Sequence, residues 1–231
     1  MITITDRLTQ TFNRIKLAAE KFQRSPEQIC LLAVSKTKPN SDIVSAYNAG
    51  QRHFGENYVQ EGVNKCLVLA NECPDIRWHF IGPLQSNKTR DIAQNYHWVH
   101  TIDREKIARR LSDQRPPLHP NLNVCIQVNI SGEASKSGVA PSEVVKLAQY
   151  IQQLPNITLR GLMAIPSNKD DIKLCHEFKQ MQQLFEQLIH EYGTQIDTLS
   201  MGMSQDLELA IEHGSTIVRV GSAIFGSRAP K

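Results

Sequence analysis

The run ICLLAVS at residues 29–35 is apolar almost throughout and is followed at once by Lys36, Thr37 and Lys38. A strand that is apolar at consecutive positions is buried on both faces, the mark of a parallel strand with helices on one side and a core on the other. Working outward, β-rich runs return at 52–55 (RHFG), 76–82 (IRWHFIG), 98–102 (WVHTI) and 122–130 (LNVCIQVNI). Three more follow at 157–165 (ITLRGLMAI), 198–201 (TLSM) and 216–220 (TIVRV). Helical stretches separate them, beginning near Ser41, Glu56, Asn87, Arg104, Pro141, Asp171 and Ser204. The clearest, from Asp171, sets Cys175, Phe178, Met181, Phe185, Leu188 and Tyr192 on one face. Eight strands alternating with seven helices predict an α/β fold. Eight such units favour closure into a single (β/α)8 TIM-type barrel over an open doubly wound sheet. Ahead of the first strand, Ile4, Leu8, Phe12, Ile15, Ala19 and Phe22 recur at spacings of three and four, which predicts an extra N-terminal helix. No linker or low-complexity tract interrupts the chain, so one domain over residues 1–231 is expected.

Composition removes several classes of function. The chain has 26 Lys+Arg against 23 Asp+Glu, a net charge of +3, with 40% hydrophobic and 6% aromatic residues. That balance is wrong for a disordered chain, and no basic cluster argues for nucleic acid or an anionic membrane. No apolar run approaches the length of a membrane span, and the N-terminus lacks the apolar block of a signal peptide. Cys30, Cys66, Cys73, Cys125 and Cys175 are scattered, with no C-x-x-C pair, so neither a disulfide framework nor a metal site is expected. A cytoplasmic protein is expected.

In such a barrel, chemistry sits where the strands end. Lys36 follows the first strand directly, at the rim of an apolar core. Partial removal from water disfavours the charged form of lysine and makes the neutral amine a nucleophile for aldehydes and ketones. The competing reading is a lysine opening a surface loop; Lys38 reads as solvated. After the eighth strand, Gly221-Ser222 and a short helical turn offer backbone amides and a hydroxyl to phosphate, and Ser204 after strand seven can add another hydroxyl. A plain turn or N-cap is the alternative. Barrel closure brings strand eight beside strand one, so an amine for an aldehyde and a cradle for a phosphate share one mouth. Together they describe pyridoxal 5′-phosphate (PLP). Arg219, the lone charge in TIVRV, is either an ion-pair partner at the barrel end or a donor to the pyridine nitrogen. Asn57 is an N-cap or a donor to the cofactor's phenolic oxygen. His79, between Trp78 and Phe80, is a core histidine or packs on the cofactor. Glu56 and Glu61 read as solvated. His97 and His100 lie on opposite faces of one strand, which argues against a metal pair.

The motifs LLAVSKTKP, FGENYVQE, WHFIGPLQSNK, GLMAIP, LSMGMSQD and VRVGSAIFG together resemble the pyridoxal phosphate homeostasis protein family, over nearly the whole chain. The resemblance implies the barrel of the alanine racemase N-terminal domain, with Lys36 holding PLP as a Schiff base. It also implies a phosphate site at Ser204, Gly221 and Ser222, Arg219 on the pyridine nitrogen, and Asn57 and His79 at the cofactor. It implies a monomeric, non-catalytic carrier acting in vitamin B6 homeostasis and indirectly on amino-acid and keto-acid pools. Apo-enzymes that use PLP, or enzymes of B6 metabolism, would be its partners. The competing enzyme reading is a PLP-dependent racemase or decarboxylase. Against racemization, the sequence runs only 11 residues past Val220, and no tyrosine motif supplies a second base. A cofactor-free Schiff-base aldolase is a third reading.

Overall fold

The computed structural model describes residues 2–167 and 170–226; the outermost residues of the expected 1–231 domain lie outside that range. Eight parallel strands close on themselves in sequence order, β1 (Cys30–Val34), β2 (His53–Glu56), β3 (Arg77–Phe80), β4 (Trp98–Ile102), β5 (Leu122–Val128), β6 (Ile157–Ala164), β7 (Thr198–Ser200) and β8 (Ile217–Val220). The expected barrel is therefore observed, and the open sheet is not. The connecting helices are α2 (Asn40–Asn48), α3 (Val59–Leu69), α4 (Thr89–Asn95), α5 (Glu105–Gln114), α6 (Val144–Gln152), α7 (Asp171–Tyr192) and α8 (Leu207–Glu212). A short helix α9 (Ser222–Phe225) follows β8.

The extra N-terminal helix is α1 (Ile4–Lys21), opened by a capping box in which Thr3 Oγ1 accepts from the Asp6 backbone at 3.1 Å. It buries Leu8, Thr11, Ile15, Ala18 and Ala19, whereas Phe12 is exposed. The helix packs against α8, α9 and α2 and so takes the eighth place in the outer ring, which α9 is too short to fill. Arg14 ties it to α8 through Glu208 (Nη2–Oε1 2.8 Å) and to the Ser204 carbonyl at 3.1 Å. Arg24 donates to the carbonyls of Ile211 and Ser215 at 2.8 and 2.7 Å.

The helix after β2 begins later than expected. Glu56 is the last residue of β2, because its carboxylate is drawn inward by Ser35 and Lys65. Runs 76–82 and 122–130 likewise give shorter strands, since the chain turns once its rim contacts are made.

The core has two compartments. Between sheet and helices lies a large continuous apolar cluster containing Phe54, Phe80, Ile102 and Val218. A second, small buried cluster joins Leu32, Ile81 and Ile217, with Cys30 and Val34 packed against it. Barrel interiors are ordinarily filled by layers of branched aliphatic residues. Here His79, His100, Ser200 and Arg219 are also buried, joined by a chain of hydrogen bonds.

Candidate functional site

The site lies where the register demands. Ala33 of β1 stands level with Val220 of β8, so Lys36 and Ser222 leave adjoining strands at nearly the same height. Six of the seven residues singled out from sequence, Lys36, Asn57, Ser204, Arg219, Gly221 and Ser222, line one cavity of about 670 Å³ at the C-terminal ends of the strands. That volume suits a small aromatic cofactor. The seventh, His79, does not line it. It lies fully buried beneath the mouth, its ring 5.3 Å from that of Trp98 and nearly parallel to it.

Lys36 is presented by a tight turn. The Lys38 amide donates to the Ser35 carbonyl at 3.0 Å, and Thr37 between them has φ +64°. A β-branched residue rarely adopts that left-handed conformation, so the turn needs an external hold. Glu61 supplies it, with Oε1 accepting from the Thr37 amide at 2.6 Å. Beneath the turn, Lys65 donates to the Ser35 carbonyl (2.8 Å), Glu56 Oε1 (2.8 Å) and Glu61 Oε1 (2.6 Å), while Ser35 Oγ donates to Glu56 Oε1 at 2.6 Å. Lys65 thereby uses all three ammonium donors. Burial raises the Glu56 carboxyl above its ordinary value, against the opposing pull of Lys65. Glu56 and Glu61 are thus parts of the mount for Lys36 rather than solvated charges. Sequence reading missed them and Lys65; the i, i+4 spacing of Glu61 and Lys65 was the available signal. Lys38 is not simply solvated either: its Nζ donates to the carbonyls of Phe225 and Gly226 at 3.0 and 3.1 Å, fastening the turn to α9.

Asn57 is held by close backbone approach. A Cβ on Gly82 would lie 2.0 Å from the Asn57 carbonyl oxygen, so only glycine lets the chain after β3 pass there. The side-chain Oδ1 of Asn57 is buried with no hydrogen-bond partner among the described residues. On the opposite wall, Gly202 at φ +92° turns the chain after β7 toward Ser204, and its carbonyl accepts from the Arg219 amide at 2.9 Å.

Arg219 is buried with no charged hydrogen-bond partner among the described residues. It donates to the Ser200 carbonyl (2.8 Å), Ser200 Oγ (2.9 Å) and the Ala164 carbonyl (2.9 Å). Burial lowers its pKa to about 10, so it remains a cation at neutral pH. Three of its N–H groups are spent in these bonds. A guanidinium has five, and the other two have no acceptor among the described residues.

An amine on a strained turn, a buried donor-only guanidinium, two rim hydroxyls beside the first turn of α9 and an unsatisfied amide therefore converge on one cavity. This constellation defines a closed eight-stranded α/β barrel with one polar cavity at the C-terminal ends of its strands. Residues 8–229 match the family described as alanine racemase, N-terminal domain. The chain belongs to that family and, within it, to the pyridoxal phosphate homeostasis proteins. It is 56% identical over 231 residues to the protein of that name from Vibrio cholerae, covering 99% of this chain and 98% of the relative. To its namesake from Escherichia coli K12 it is 53% identical over 230 residues, covering 99% and 98%. Among solved structures, PipY of Synechococcus elongatus PCC7942 with PLP bound aligns with a TM-score of 0.80 at 34% identity, covering 97% of this chain and all of that one. Alanine racemase of Corynebacterium glutamicum aligns with a TM-score of 0.68 at 15% identity, over 97% of this chain and 62% of that one; that likeness concerns the fold alone. No helix among the described residues is long and apolar enough to cross a membrane.

Proposed function

We propose that this chain binds PLP as a Schiff base on Lys36 and serves as a non-catalytic carrier in vitamin B6 homeostasis, with indirect effects on amino-acid and keto-acid pools. The observation that carries this reading is the shared cavity of Lys36 and the Ser204, Gly221 and Ser222 rim, with the Arg219 guanidinium also lining it. The PLP-bound PipY relative supports it. The residues also fit the cofactor: the Asn57 Nδ2 would donate to a ring's phenolic oxygen, the orphaned Asn57 Oδ1 would take a donor that a ligand or water brings, and Arg219 offers donors to a ring nitrogen.

When bound, PLP would supply an aldehyde that amines capture reversibly. Lys36 provides the amine, and its turn keeps that amine over the cavity. The first-turn amides of α9, with Ser222 and Ser204, hold the phosphate. Arg219 would donate to the pyridine nitrogen and, because an arginine there keeps its own proton, would leave that nitrogen unprotonated. An arginine in that place would draw less electron density from the ring than a protonating carboxylate partner does, which suits holding over turnover. The whole chain acts as one cytoplasmic, monomeric unit, and its partners are PLP itself and the apo-enzymes or B6-metabolising enzymes that receive or supply it.

The test is reduction of the PLP-loaded protein with borohydride, then intact mass and peptide mapping. The expected result is one added phosphopyridoxyl group on Lys36; a label on another lysine, or none, overturns the assignment. Incubating loaded protein with a panel of amino acids separates carrier from enzyme: steady product formation would favour the racemase or decarboxylase reading.

A further inference from the structure

The polar file inside the barrel is longer than binding Arg219 requires. From Arg219 it runs through Ser200 Oγ to His100 Nδ1 (2.9 Å), from His100 Nε2 to His79 Nδ1 (2.9 Å), and from His79 Nε2 to His53 Nδ1 (2.9 Å). It thus crosses from β8 and β7 through β4 and β3 to β2, and ends at a half-buried histidine at the first residue of β2.

The direction of every proton in this file follows from one end. Arginine only donates, so Ser200 Oγ accepts from Arg219; the hydroxyl proton of Ser200 has no other acceptor among the described residues, which directs it to His100 Nδ1. His100 then carries its proton on Nε2 and gives it to His79 Nδ1; His79 does the same to His53. All three imidazoles are neutral Nε2–H tautomers. Burial, the leading cause in each case, lowers the pKa of all three, and that of His100 to about 3. Each member then points its acceptor end toward Arg219 and its donor end away. A row of dipoles with negative ends facing a buried cation stabilises it, adding to the attraction of the Asp206 carboxylate, which makes no hydrogen bond to Arg219 among the described residues. The charged or titratable neighbours along the file are Arg77 and His97 near its lower end and Asp206 and Cys125 near Arg219.

We propose that Ser200, His100, His79 and His53 are positioning residues for the cofactor ring: an oriented hydrogen-bond file that keeps the Arg219 guanidinium charged and fixed in the cavity. The proposal rests on the PLP-carrier reading above. It gives His79 a role through Arg219 instead of by contact.

The experiment has two arms. In the first, long-range 1H–15N NMR of the PLP-free wild-type protein reads the histidine tautomers at neutral pH. Neutral Nε2–H forms at His53, His79 and His100 are expected, and an Nδ1–H form or an imidazolium at any of them overturns the file. In the second, PLP is titrated into wild type, Ser200→Ala and Ser200→Thr, following both the Kd and the visible absorption band. Ser200→Ala should bind about tenfold more weakly with a displaced band, and Ser200→Thr, which keeps the hydroxyl, should restore both. Ser200→Ala with wild-type affinity and spectrum overturns the positioning role even when the tautomers are as expected. Should Ser200→Ala fail to fold, His53→Leu at the half-buried end, which removes the acceptor for His79 Nε2–H, serves in its place, with a shifted band expected and an unchanged one refuting. Wild-type protein that takes up no PLP defeats the carrier reading itself and this inference with it, an outcome distinct from either failure above.

Discussion

Thr37 shows what the turn that presents Lys36 costs its neighbours. A left-handed β-branched residue is disfavoured by about 1–2 kcal/mol, and the Glu61 carboxylate on its amide offsets that strain while also meeting Lys65. Glu61→Ala should therefore lower stability by about 1–3 kcal/mol, measured by urea denaturation, and slow PLP capture by Lys36 in stopped-flow absorbance. Thr37→Gly should leave stability unchanged or slightly raised, because glycine accepts that φ without strain. Lys36→Ala should abolish the visible band and borohydride labelling while leaving the circular dichroism spectrum intact. Lys36 itself was legible because an apolar strand runs straight into it. Its mount was not: Glu56 and Lys65 look like solvated charges until the strand end turns both inward. His79 was legible as a core histidine but not as a link to Arg219, since nothing along one chain says that β3, β4 and β7 share an interior.

At the scale of elements, α1 does the work of the missing eighth helix. Leu8, buried in that interface, should cost about 2–5 kcal/mol on truncation to alanine, read as a lower denaturation midpoint. Arg14→Ala should behave differently. Its ion pair with Glu208 is half exposed and contributes little to stability, under about 1 kcal/mol, yet it also braces the Ser204 carbonyl. The expected result is an unchanged midpoint with weaker PLP retention. Alternation of strand and helix was readable because each β-run carries its own apolar block. The amphipathic stripe of α1 was readable too, although Thr11 rather than Phe12 turned out to face inward. Its station between α8 and α2 was not, because that is set by ring closure, which joins the two ends of the sequence.

For the molecule as a whole, the buried histidines make stability depend on acidity. Burial lowers His97 to about 4 and His100 to about 3, from an ordinary value of 6.5. Below pH 6.5 the unfolded chain takes up protons that the folded protein refuses. Stability is therefore full above that value and falls as pH drops toward 4, by up to about 1.4 kcal/mol per pH unit for each such imidazole. Urea midpoints at neutral and mildly acidic pH should show the loss, and His97→Gln should reduce the slope. The seam between β1 and β8 has one further consequence. Lys36 follows the first strand and Ser222 the last, so the cavity they share exists only once the two ends of the sheet have met. A chain cut before β8 should therefore keep Lys36 but lose the PLP uptake proposed for the closed barrel, which absorbance titration of such a truncation would check.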